Sequence, residues 1–114
     1  MVLKIRSLML YVKDYDEALS FYTKKLEFKL TSDKKLAPGI RWVAVAPNEH
    51  SETMIVFEKA SRKEEAQAVG KQLNNMLVQL ETDDLDETYN TLKKRGVEFV
   101  EEPKVAPWGK QAVF

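Results

Sequence analysis

The sequence predicts an α+β fold in which a strand, a helix and three further strands form a unit that occurs twice. The run Asp14-Tyr15-Asp16-Glu17 returns as Asp84-Leu85-Asp86-Glu87, an offset of 70 residues. Each copy follows a segment with the period-two alternation of a half-buried strand, and each precedes an apolar stripe at helical spacing.

In the first unit Leu8, Leu10 and Val12 alternate with Ser7, Met9 and Tyr11, which predicts a strand. Asp14, with Glu17 three residues on, is the carboxyl version of a capping box and starts a helix over 15–26, with Ala18, Leu19, Tyr22 and Leu26 on one face. Strands are expected over 28–31, 41–46 and 53–58, separated by turns at 34–39 and 47–51. The charged run Arg62-Lys63-Glu64-Glu65 marks 59–72 as a solvated linker, with room for a helical turn.

In the second unit Val78 and Leu80 alternate with Leu77 and Gln79, and Asp84 caps a helix over 85–95 closed by Lys93, Lys94, Arg95 and Gly96. A strand over 97–101, a loop over 102–109 carrying Pro103 and Pro107, and a strand over 111–114 complete it. Phe114 falls at the position of Ala44, so this module lacks its last strand, the counterpart of 53–58; a full copy would need about fourteen more residues. A trimmed tail, or a strand supplied by another chain, is expected to account for it. The chain is read as one domain over 1–114, with module one at about 1–60, a linker at about 61–73 and module two at about 74–114.

Eighteen Lys and Arg balance eighteen Asp and Glu, so no basic excess points to nucleic acid. With no cysteine, disulfides, thiolate ligands and thiol nucleophiles are excluded. His50 is the lone histidine, in a turn-like stretch where an ordinary surface role is common, and sites needing two histidines cannot be built within one chain. No apolar stretch approaches a membrane span, and a cytoplasmic protein without membrane partners is expected.

The run Leu10-Tyr11-Val12-Lys13-Asp14-Tyr15-Asp16-Glu17-Ala18-Leu19-Ser20-Phe21-Tyr22, followed by Lys25-Leu26-Glu27-Phe28, resembles the opening of the vicinal oxygen chelate superfamily, the glyoxalase I, bleomycin-resistance and extradiol-dioxygenase group. Arg41-Trp42-Val43, Arg95-Gly96-Val97-Glu98-Phe99, Glu102-Pro103 and Pro107-Trp108-Gly109 extend the resemblance over nearly the whole chain. It implies paired βαβββ modules forming a curled mixed sheet around a cleft. Two departures stand out: Glu27 occupies a place where the family commonly has glycine, which predicts strain or a different helix exit, and the final turn and strand are absent.

Metal-dependent members take ligands from the first strand of each module and carboxylates from the last. The corresponding first-strand positions here are Ser7 and Leu77; leucine cannot ligate and a neutral hydroxyl is a poor ligand for a divalent ion. Glu58 lies near the first module's carboxylate position, where Val56 or Phe57 can equally fall, and its alternative is an exposed strand-end carboxylate. No cofactor is expected, with a divalent zinc, nickel, manganese or iron ion as the alternative.

Alternation turns Ser7, Met9 and Tyr11 toward the cleft, and the repeat adds Leu77 and Gln79. Trp42 supplies an aromatic wall, and Trp108 a loop residue over the opening; core packing for Met9, Tyr11 and Trp42, and a structural turn around Trp108, stand as alternatives. The resemblance therefore implies a metal-independent, bleomycin-resistance-like protein that binds a hydrophobic or aromatic small molecule, with Tyr11, Trp42 and Trp108 stacking and Ser7 and Gln79 orienting it. A homodimer is expected. The alternatives are a metal-dependent glyoxalase I-like lyase or isomerase or a dioxygenase-type enzyme, and an accessory module without a ligand of its own.

Overall fold

The computed structural model describes residues 1–75 and 77–114, which fall into two compact units, Met1–Val78 and Gln79–Phe114. The first unit runs β1 (Ser7–Val12), α1 (Tyr15–Ser20), a π-helical turn (Phe21–Lys25), β2 (Lys29–Ala37), β3 (Ile40–Ala46), β4 (Met54–Lys59), α2 (Lys63–Ala68) and a 3-10 turn (Gln72–Asn75). Its four strands form a mixed sheet in the order β1-β4-β3-β2, with β1 parallel to β4 and the other pairs antiparallel. This is the predicted βαβββ order.

Asp14 starts α1 by accepting the Glu17 amide N–H on its Oδ2 at 2.9 Å, satisfying a donor that the first helical turn leaves free. Beyond Ser20 the helix widens. The Leu26 amide reaches back five residues to the Phe21 carbonyl at 3.2 Å, while the Thr23 hydroxyl donates to the Leu19 carbonyl at 2.6 Å. The exit is left-handed, with Glu27 at φ +59°, so of the two expectations for this residue the strained one holds.

The helical segment packs on one face of the sheet. Val12, Phe28, Val43, Val45, Ile55 and Phe57 form the buried cluster, with Leu10, Ala18, Leu19, Tyr22, Leu26 and Val78 packed against it. Tyr22 meets Phe28 edge-on at 5.3 Å and Phe57 at 5.2 Å between ring centroids. Each such side chain withdrawn from water contributes about 1.5–3 kcal/mol.

β2 is longer than its predicted 28–31, and the turn expected at 34–39 contracts to Pro38 and Gly39, the latter at φ +76°. Strand residues Lys34 and Lys35 carried no apolar signal because β2 is an edge strand, where lysine is favoured and burial on both faces is not required. The predicted linker holds α2, and Gln72 beyond it acts on the opposite edge of the sheet: its Oε1 accepts the Tyr11 amide at 2.8 Å and its Nε2 donates to the Met9 carbonyl at 3.2 Å. One side-chain amide thereby stands in for a neighbouring strand along β1.

The second unit contains α3 (Leu85–Lys94) and an antiparallel hairpin of β5 (Glu101–Ala106) and β6 (Gly109–Val113). Asp84 caps α3 through the Glu87 amide at 3.0 Å, as Asp14 caps α1. In both units a helix first-turn aspartate then ties to the second strand of the hairpin, Asp16 to Arg41 at 3.0 Å and Asp86 to Lys110 at 2.6 Å. Phe99 packs edge-on between Tyr89 at 4.6 Å and Phe114 at 5.6 Å.

Three expectations for this unit are corrected. Residues 77–80 form no strand: no described segment pairs with them, and alternation without a hydrogen-bonded partner does not make a ladder. The strand predicted over 97–101 begins only at Glu101. The expected loop over 102–109 is mostly β5: Pro103 sits where the register shifts between Glu101 and Lys104, an irregularity that does not demand its missing N–H.

Candidate ligand-binding face

The pleat of the first sheet sends alternate residues to the side opposite α1. Register fixes the rows on that face. Ser7 faces Met54; Met9 faces Val56, which faces Ala44, which faces Ser32; Tyr11 faces Glu58, and Trp42 faces Lys34. Ser7, Met9, Tyr11, Trp42 and Glu58 therefore share one face of one unit. Ala44, Ala46 and Val56 are buried, while Trp42 and Met54 are half-buried and Met9 is 45% exposed.

The remaining candidates belong to other segments of the chain. Leu77 is half-buried after the 3-10 turn and belongs to the first unit, whereas Gln79 and Trp108 belong to the second. Trp108 stands at the hairpin tip, 73% exposed, with its indole N–H donating to Gln111 Oε1 at 2.7 Å. His50 is exposed in the turn before β4, 3.5 Å from Glu49.

Tyr11 is restrained from α2. Its hydroxyl donates to Glu65 Oε2 at 3.3 Å, and the nearby carboxylate raises the phenol's pKa. Glu65 is only 13% exposed and also accepts on Oε1 from the Ser61 amide at 3.0 Å and the Arg62 amide at 3.1 Å. Those amides, the Ser61 contact foremost, hold its pKa down to about 2. On the far side of the sheet Arg41 forms a fork on Asp33, with Nε and Nη2 each at 2.9 Å, which lowers the Asp33 pKa and raises that of Arg41.

The side chains of this face bear on the family's divalent ion. Ser7 and Glu58 occupy opposite ends of the β1/β4 pair, four residues or roughly 13 Å apart along a strand. Among the described residues no three His, Cys, Asp or Glu side chains are grouped so as to hold a metal. The donors present do not fit such an ion.

An open recess of about 710 Å³ occupies the β2 half of this face. Arg6, Ser32, Lys34, Leu36, Trp42 and Met54 are among its lining residues. Apart from Trp42, sequence reasoning did not select them. Extending β2 through Lys35 would have done so, since alternation then turns Ser32 and Lys34 to the side of Trp42.

The profile of the Glyoxalase/Bleomycin resistance protein/Dioxygenase superfamily matches residues 4–114. The chain belongs to that superfamily. Among proteins of known structure, UcmS2 superimposes with a TM-score of 0.87 at 30% identity, covering 100% of this chain and 90% of that one. TnmS3, an antibiotic-binding protein from Streptomyces sp. CB03234, superimposes with a TM-score of 0.76 at 28% identity, covering 97% and 84%. An uncharacterised protein of Shewanella frigidimarina (strain NCIMB 400) is 36% identical over 107 residues, 92% of this chain and 79% of its own. Among the described residues no helix is long and apolar enough to cross a membrane.

Proposed function

We propose that this superfamily member binds a hydrophobic or aromatic small molecule without a metal, holding and releasing it with no covalent step, as the bleomycin-resistance branch does. The observation that carries this reading is the gathering of Trp42, Met9, Tyr11 and Met54 on one sheet face whose donors do not compose an ion site. A mostly apolar concavity with a few polar handles is the usual make-up of a small-molecule site. The likeness to TnmS3 supports the same class of activity. The homodimer belongs to the same reading, and sedimentation equilibrium checks it.

Two tryptophans are present, so Trp108→Phe leaves Trp42 as the sole indole reporter. Titrating that variant with aromatic compounds should change its fluorescence saturably, and Trp42→Ala should weaken binding about tenfold, the equivalent of about 1.4 kcal/mol for a lost aromatic contact. Elemental analysis of the purified protein, with nickel, zinc, manganese and iron(II) titrated by calorimetry, tests the metal. One ion bound per site and lost in Glu58→Ala would overturn the reading in favour of a metal-dependent enzyme.

A further inference from the structure

Resting on that binding reading, we propose that the ligand of this face is an aromatic compound bearing an acidic group, with its ring against Trp42 and its anion met by Arg6 and Lys34. The recess is open to solvent and lies along β2, with Trp42 of β3 and Met54 of β4 in its lining. Three charged residues line it, Arg6, Asp33 and Lys34. The Asp33 carboxylate is already engaged by the Arg41 fork at 2.9 Å on each oxygen. Arg6 and Lys34 are exposed and, among the described residues, make no ion pair or side-chain hydrogen bond.

The recess therefore carries two uncommitted cations and no uncommitted anion. The chain as a whole is neutral, so this positive balance is local. Position matters as well as sign. Lys34 is the register partner of Trp42, so the two residues stand side by side on β2 and β3, and Arg6 lies at the other end, where its carbonyl accepts the Met54 amide at 3.1 Å. The two cations thus serve different parts of the recess, Lys34 in the row of Trp42 and Arg6 toward Met54. Glu58 extends the same row on the β4 side of Trp42 and is not among the residues that line the recess. Ser32 adds a hydroxyl at the rim.

The test uses two probes with one skeleton: 1-anilinonaphthalene-8-sulfonate, and N-phenyl-1-naphthylamine, which lacks only the sulfonate. Fluorescence titration of the full chain should show the sulfonate binding about tenfold more tightly, an advantage that shrinks as salt is raised. Arg6→Gln with Lys34→Gln, both exposed positions, should abolish that advantage and leave the neutral probe's affinity in place. Equal affinity for the two probes, insensitive to salt and to the double variant, would overturn the acidic-ligand assignment while leaving aromatic binding intact. Failure of both probes to bind, or binding of both that Trp42→Ala does not weaken, would remove the binding face itself. The salt series needs no substitution, so a misfolded variant does not decide the outcome.

Discussion

Glu27 holds a left-handed backbone, φ +59°, at the end of the first helical segment. A side chain costs roughly 1–2 kcal/mol in that conformation, and glycine recovers most of it at a smaller entropic penalty. Glu27→Gly should therefore raise stability by about 0.5–1 kcal/mol in urea unfolding. Glu65 gives a pH signature. Its pKa is lowered from 4.5 to about 2, so its contribution is complete above about pH 4.5 and is lost as pH falls toward 2. Glu65→Gln should flatten melting temperature against pH across that window. Gln72→Leu strips two hydrogen bonds from β1 and should cost about 1–3 kcal/mol, because the Met9 carbonyl and Tyr11 amide lose their partner. The departure at Glu27 was visible in sequence from the glycine habit of the family. The role of Gln72 was not, since a contact across 61 residues leaves no local pattern.

Elements with strong periodic or capping signals were legible: β1, the start of α1, β3, β4 and α3 fall within a residue or two of the expected bounds. The caps carry measurable energy, and Asp14→Ala and Asp84→Ala should each cost about 1 kcal/mol in urea denaturation. What escaped had physical causes. β2 hid behind lysines because an edge strand needs no second buried face, and β5 hid behind Pro103 because proline argues against a strand wherever no register shift absorbs it. Residues 77–80 alternate like a strand, yet alternation specifies only which side faces inward and supplies no partner. The half of the candidate site on β1 and β3 was readable for this reason, and the half on β2 was not.

At the scale of the molecule the two units differ in how much they bury. Among the described residues ten hydrophobic side chains are withdrawn from solvent, nine of them in the first unit and Val97 in the second. Amide hydrogen exchange should accordingly protect β3 and β4 most strongly and release β5 and β6 first. Both outer edges of the four-stranded sheet are closed by different means, the Gln72 amide along β1 and lysines with register shifts along β2. An open edge recruits a second chain, and successive additions grow a fibril. The glutamine thus acts as a chain terminator for the sheet: it occupies the Met9 carbonyl and Tyr11 amide of β1 with a side chain too short to template another strand, and a concentrated stock should stay clear of thioflavin-positive aggregates for as long as that amide remains in place.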